Sequence, residues 1–350
     1  MELFNDEFKI PEYKFLKNGK DKTLGIVGVS IKEGQEKSGP EICPDFLRQG
    51  GLLKIAKSFD WKIEDYGDIK EVDDENHEKN NKDKKYEFDW LNHIHKLGAL
   101  NKELHDRAKK MGENGQFCLT LGGDHGLATG SISGVKAAFP DLKVIWVDAH
   151  ADANTPDSSP SGNYHGMPVA HLLGWIKEGT CPGFDWFKPC CSNLDFVFIG
   201  LRDLDKQEKQ MLKDANIKCF TMHHVLKYGI GEVMKQTYKY LFKDNKTEEI
   251  RPHPIHISFD IDGIDPSVAY GTGTKSRGGL LYREAQYIVR ETAKTGCLVS
   301  FDMVEINPLL DLPREKYHGD NEHITVDSET LALGLEIISS ALGEFQDFMQ

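Results

Sequence analysis

The chain has 350 residues, and its 43 Lys and Arg against 56 Asp and Glu give a formal net charge of −13. That acid excess excludes the basic stripe of a nucleic-acid binder and a surface built for anionic membranes. Hydrophobic residues at 39% and aromatics at 10% supply a packed core and exclude wholesale disorder.

Eight β-rich runs recur along the chain, at 24–29, 61–66, 117–121, 144–147, 196–200, 217–221, 255–259 and 298–304. Several are apolar without alternation, as strands of a parallel sheet buried on both faces should be. Amphipathic stretches such as 90–111 and 230–242 lie between them. A β-then-α rhythm of this kind predicts an α/β protein with a parallel sheet between helices, in one domain spanning 1–350. The segment 71–87, dense in Asp, Glu, Asn and Lys, reads as a charged surface loop. No run reaches the roughly 18 apolar residues of a membrane span. The start, Met1-Glu2-Leu3-Phe4-Asn5-Asp6-Glu7, resembles neither a secretion signal nor a transit peptide, so a cytoplasmic protein is expected. The seven cysteines are odd in number and lack C-x-x-C spacing, which fits reduced thiols better than a disulfide scaffold or zinc ribbon.

Ligands in open parallel sheets bind beyond the carboxyl ends of the strands. Three of the predicted strands end in unusual polar clusters. They are Gly122-Gly123-Asp124-His125, Asp148-Ala149-His150-Ala151-Asp152 and Asp260-Ile261-Asp262-Gly263-Ile264-Asp265-Pro266. On extended backbone, residues i, i+2 and i+4 share a side, so Asp148, His150 and Asp152 are expected to converge, and Asp260 with Asp262. Carboxylates crowded in a partly buried site repel one another unless a cation neutralises them. Taken singly, His125 reads as a turn residue and Asp-x-Asp as an ordinary loop pattern. Three such clusters at three strand ends are better explained by metal.

Oxygen and imidazole donors without thiolates favour a hard or borderline divalent ion over structural zinc. Six candidate ligands exceed what one ion takes from an open catalytic site. Two ions roughly 3.5–4 Å apart fit better, bridged by Asp148 or Asp260.

These motifs resemble the signatures of the ureohydrolases, and most closely the arginase family. Asn154-Thr155-Pro156 and Ser161-Gly162-Asn163-Tyr164-His165-Gly166 are similar to the arginase segment for a substrate α-carboxylate, which agmatinases typically lack. Further matches are Gly200-Leu201-Arg202-Asp203-Leu204-Asp205, Gly273-Thr274 and Met303-Val304-Glu305-Ile306-Asn307-Pro308. The resemblance runs from about residue 24 to 343. It implies a three-layer α/β/α fold with an eight-stranded parallel sheet, a homotrimer and two Mn²⁺ per chain. One manganese would be held by His125, Asp148, Asp152 and Asp260, the other by His150, Asp148, Asp260 and Asp262.

The implied reaction is hydrolysis of L-arginine to L-ornithine and urea by a metal-bridging hydroxide. Asp152, His165 and Glu305 would be catalytic, with His165 as proton shuttle and Glu305 facing the guanidinium. Asn154 and Ser161 would meet the α-carboxylate, Asp205 the α-amino group with Glu208 and Asn163 through water, and Thr274 would line the metal pocket. By pattern alone, Asp205 and Glu208 are a solvated charged run, Ser161 and Asn163 are turn formers, and His165 is a loop histidine. A sibling hydrolase of agmatine or another guanidino compound, and a non-catalytic relative, are the alternatives. The chain departs from the family at Gly126, where Ser is usual, and at Lys275 and Arg277. It also departs in the longer segment 310–323 and in a tail after Gly343 without Lys or Arg.

Overall fold

A computed structural model describes residues 12–17, 22–70, 91–243, 249–311 and 328–343, with the side chains of 91–93 left aside. The charged segment 71–87, most of 310–323 and the tail beyond Gly343 lie outside the described residues.

Eight strands form one sheet: β1 (Thr23–Val29), β2 (Lys62–Ile69), β3 (Phe117–Leu121), β4 (Lys143–Val147), β5 (Phe196–Leu201), β6 (Lys218–Thr221), β7 (Ile255–Asp260) and β8 (Leu298–Val304). Their order across the sheet is β2-β1-β3-β8-β7-β4-β5-β6, and every neighbouring pair is parallel. Each of the eight expected runs is a strand, with ends moved by a few residues. In β3, β4, β5, β7 and β8 every residue is buried, which only cover on both faces of the sheet allows.

The helices supply that cover in two groups. The first is α3 (Leu91–Glu113) packed on α4 (Ala128–Ala138), followed by the short α5 (Pro168–Leu172). The second joins α1 (Cys43–Gln49), α2 (Leu52–Ser58), α8 (Ile230–Leu241), α9 (Tyr282–Lys294) and α10 (Glu329–Ala341). Two further helices, α6 (Lys206–Asp214) and α7 (Met222–Tyr228), flank β6. The result is the expected three-layer α/β/α arrangement. The two edge strands are the exceptions to buried apolar runs: β6 is only partly covered, and β2 departs most. It sits at the sheet edge, is largely exposed, and carries Asp65 and Asp68, which Arg48 of α1 clamps at 2.8 and 2.5 Å.

The connection from β3 to β4 skips two places, and β7 and β8 fill the gap. Five adjacent strands, β3, β8, β7, β4 and β5, therefore end side by side although their order in the chain is different. Among the described residues no helix is long and apolar enough to cross a membrane.

Phe259 of β7 and Phe301 of β8 are fully buried, with ring centroids 6.1 Å apart, beneath these strand ends. Phe301→Ala should lower stability by about 3–5 kcal/mol through lost burial and the residual cavity. Urea unfolding checks it, as a lower midpoint with an unchanged slope.

Candidate active site and metal centre

β3 and β4 stop just before their polar clusters and β7 ends on the first residue of its own, Asp260, and the clusters then turn sharply. After β3, Gly122 donates to the Met303 carbonyl at 2.7 Å and Gly123 to the Val29 carbonyl at 3.1 Å. A Cβ at Gly123 would come within 2.2 Å of the Ile31 carbonyl oxygen, so only glycine lets these strand ends approach. Asp124 then caps a 3₁₀ turn, accepting from the Gly126 amide at 2.8 Å and, across the fold, from the Gly34 amide at 2.9 Å. A side chain on Gly126 would press on the Asp124 carboxylate and on the Tyr164 ring.

The expectation that Asp148, His150 and Asp152 share one side of an extended segment is not how they meet. The strand ends at Val147, the Asp148 carboxylate accepts from the amide of His150 at 2.7 Å, and Asp152 adopts φ +47°. Asp152 and Asp148 face His125, whereas His150 turns towards Asp262. Asp260 and Asp262 likewise lie on a 3₁₀ turn, Ile261–Gly263, with the Asp262 amide donating to Asp260 at 2.8 Å. Short polar side chains compete for nearby amides at a strand end, and this folds the backbone out of the extended form.

Two groups of metal-ligating atoms result, each with its atoms within 4.8 Å of one another: His125, Asp148, Asp152 and Asp260, then Asp148, His150 and Asp262. Asp148 belongs to both. His125 Nδ1 lies 3.3 Å from Asp148, 3.0 Å from Asp152 and 3.3 Å from Asp260. It is fully buried, yet none of these contacts is a hydrogen bond. An orphaned imidazole nitrogen aimed at three carboxylate oxygens fits a cation at their centre. In the second group His150 Nδ1 lies 3.1 Å from Asp262 and 3.3 Å from Asp148.

Charge bears out the strain of the cluster. Burial, then the Asp148 charge, pushes the Asp152 carboxyl up to about 6. Burial and the charges of Asp262 and Asp148 drive Asp260 well above the carboxylate range. Both histidines rise against their burial because carboxylates surround them. Six groups competing for protons in a dry pocket is the situation a divalent cation relieves.

Further residues hold these ligands. The His125 ring stacks on Trp146 at 4.1 Å, and its Nε2 meets Ser258 Oγ at 2.9 Å. Trp146 Nε1 donates to Asp148 at 2.9 Å. The Arg202 guanidinium braces the β7 turn, donating to the carbonyls of Asp262 at 2.6 Å and Ser276 at 2.7 Å. Thr274 Oγ1 donates to Asp262 at 2.7 Å. Trp146, Ser258 and Arg202 went unassigned in the sequence. Two of them were findable, since Trp146 and Ser258 stand two residues before Asp148 and Asp260, on the strand where alternation does hold.

A cleft opens on the metal groups, lined by His150, Asp152, Asn154, Ser161, His165, Asp205, Glu208 and Thr274, together with Ser159 and Asp203, which the sequence reading left out. Glu305 lies buried beside it at φ +63°, held by its amide on the Gly123 carbonyl at 2.9 Å. Its Oε1 accepts from the His125 amide at 2.9 Å and lies 3.0 Å from His165 Nδ1. Burial lowers the His165 imidazole, but bonding to Glu305 overrides it and lifts His165 to about 9.

Asn154 Nδ2 donates to Asp205 at 3.0 Å. Glu208 is buried and accepts from the Ala153 amide at 2.9 Å and the Asp205 amide at 3.3 Å, so it anchors the cleft wall instead of lying in a solvated run. Asn163 does not line the cleft; its amide donates to Ser161 Oγ at 3.2 Å, a turn contact. Lys275 is turned away onto the Tyr270 ring at 4.3 Å, and Arg277 is exposed.

The match to known proteins agrees. The Arginase family model covers residues 22–342. The chain belongs to the arginase family. It is 43% identical to human arginase-1 over 322 residues, 91% of this chain and 96% of that protein. The structure of Bacillus caldovelox arginase superposes with a TM-score of 0.77 at 33% identity, covering 93% of this chain and 99% of that one. Entamoeba histolytica arginase, solved with L-ornithine, superposes at 0.75 and 29% identity over 93% and 99%. This chain is an arginase-family hydrolase with a candidate metal-binding cluster.

The His165 loop is held from behind. Tyr164 OH contacts Thr129 Oγ1 at 2.8 Å and His171 Nδ1 at 2.7 Å. Burial pulls His171 down from 6.5 to about 4, so the folded protein keeps it neutral as an acceptor. The unfolded chain binds that proton first. Its contribution is full above pH 6.5 and is lost towards pH 4, by about 3 kcal/mol at most. His171→Gln should shrink the loss of stability between pH 7 and 4.5, measured by urea unfolding at each pH.

Proposed function

We propose that this chain is a manganese-dependent arginase carrying two Mn²⁺ and converting L-arginine to L-ornithine and urea, the reaction of its family. The observation that carries the reading is the pair of ligand groups sharing Asp148 beneath a cleft whose far wall carries Asn154, Ser161 and Asp205. Donors of nitrogen and carboxylate oxygen without thiolate suit manganese. His125, Asp148, Asp152 and Asp260 would hold one ion, and Asp148, His150, Asp260 and Asp262 the other. When bound, the ions supply an acidified water as nucleophile near neutral pH.

The chain's own residues account for the rest. A guanidinium entering between two cations needs a compensating anion, and Glu305 is a carboxylate kept ionised, below the usual range, by His165 and the His125 amide despite its burial. Planar pairing with Glu305 orients the guanidinium carbon towards Asp152 and the metal groups. His165, with its raised pKa, carries a proton at neutral pH and delivers it to the departing amine. Asp205 attracts the α-amino group, Ser161 and Asn154 offer donors to the α-carboxylate, and Asn163 and Glu208 act through water or by holding these groups. Thr274 steadies Asp262.

A homotrimer in the cytoplasm, serving arginine breakdown in a urea-producing pathway, extends the same reading from the family. The agmatine alternative keeps the metal chemistry and drops the α-carboxylate; Ser161 on the cleft wall favours the amino acid.

Urea release from L-arginine and agmatine at equal concentration, with and without Mn²⁺, tests the function. L-Arginine should win by more than about tenfold in kcat/KM, the worth of one interaction of about 1.4 kcal/mol. A preference for agmatine overturns the substrate, and Mn²⁺-independent turnover overturns the metal. Asp148→Ala should empty both positions, whereas His150→Ala should spare the His125 group. Metal content after dialysis reads the difference, and equal loss in both variants refutes the shared ligand.

A further inference from the structure

Beside a cleft whose lining contains none of the candidate metal ligands, the segment leading into β5 places two cysteines in direct sequence. The Cys190 and Cys191 sulfurs lie 3.8 Å apart, in contact and unbonded. Both backbone amides are pinned to one acceptor, the Leu172 carbonyl that ends α5, at 3.2 and 3.1 Å. The backbone therefore holds the two side chains together on one corner.

The two thiols are not equivalent. Cys190 lines a cleft of about 410 Å³ between α3, α4 and the loop 186–190, with Lys102, Lys136, Lys188 and Trp186 among its other walls. Cys191 is absent from that lining. Both residues are partly buried, and only Cys190 borders this cleft, with the Cys191 sulfur in contact beside it.

We propose that Cys190 and Cys191 form a reversible oxidation site that takes a hydroperoxide as oxidant and closes to a disulfide between adjacent residues. The Cys190 thiolate attacks the peroxide, forming an S–O bond as the O–O bond breaks. The leaving alkoxide takes a proton and departs as alcohol, or as water from hydrogen peroxide. The Cys191 thiol, which its contact with Cys190 and burial keep protonated, then attacks Cys190 Sγ, forming the S–S bond as the S–O bond breaks and passing its proton to the departing hydroxide, which leaves as water. Two thiols lose two electrons and two protons, and the peroxide receives them.

Two further features favour this pair over the other cysteines. The contact with Cys191 and the charge of Lys136 hold the Cys190 thiol below its ordinary value, against burial and Asp195. Burial instead pushes Cys181 and Cys219 up to about 12, and it raises Cys43, Cys118 and Cys297. A low-pKa, accessible thiol beside a resolving thiol is the arrangement that oxidises reversibly. Adjacent Cα atoms stand about 3.8 Å apart, below the usual 4.4–6.8 Å of disulfides, so the bond is strained and readily reduced.

The test uses the intact metal-loaded protein, treated with stoichiometric hydrogen peroxide, alkylated, digested and mapped by mass. The peptide containing both residues should lose two hydrogens and resist alkylation until dithiothreitol is added, with titratable thiols falling by two. In Cys191→Ser, dimedone should trap a sulfenic acid on Cys190. Both cysteines remaining alkylatable while Cys219 or another thiol oxidises would overturn the proposal, as would direct passage of wild-type Cys190 to sulfinic acid. Should the variant fail to fold, the wild-type map decides alone.

Discussion

The repulsion among buried carboxylates at the carboxyl ends of β3, β4 and β7 is the constraint around which this molecule is arranged. Asp148, Asp152, Asp260 and Asp262 are all buried, together with His125. A carboxylate taken out of water costs several kcal/mol unless something compensates it. Backbone amides and Trp146 satisfy part of that demand, and the orphaned Nδ1 of His125 fits a metal ion taking up the rest. The sheet, its helices and the glycine turns keep these groups close enough for cations to be the only inexpensive solution.

The surrounding shell works by removing freedom. Trp146 and Ser258 fix the His125 ring, Arg202 ties the β7 turn to the loop at 276, and Asp124 joins the β3 turn to Gly34. The Gly34 carbonyl in turn accepts from the His165 amide at 3.0 Å. Two non-glycine residues at positive φ, Asp152 and Glu305, are held in place by backbone bonds from Val169 and to Gly123. Strain of this sort persists only where the neighbourhood over-determines it. Preorganised ligands and a fixed Glu305 then need little rearrangement when a cationic substrate arrives.

Most strands were legible because burial on both faces leaves a continuous apolar run, and the two edge strands, β2 and β6, broke that rule. Six metal-ligand candidates were legible because their residue types cluster at strand ends. The geometry that brings them together was misread, since the alternation that governs a strand ceases where Asp148 and Asp260 accept from the amides two residues on. Glu208 looked like part of a charged surface run, because sequence cannot show that two amides from different segments consume its oxygens. Asn163, given a role through water by resemblance, is bonded through its amide to Ser161 Oγ. Arg202 stood inside a matched motif without an assigned role, because its acceptors other than the Gly200 carbonyl lie 60 to 74 positions away.

By itself the sequence determined the fold class, the family and the chemistry of the donors, because these depend on residue types and short spacings. The resemblance implied which candidate ligands belong together, and the tertiary structure decided how they meet. The chain lays β3 and β4 three places apart and later inserts β8 and β7 between them, so His125, Glu305, Asp260 and Asp148 become neighbours only when the sheet closes. Contacts across more than a hundred residues carry no periodic trace in the chain, since they arise from strand order. That order is fixed by burying both faces of the sheet at once.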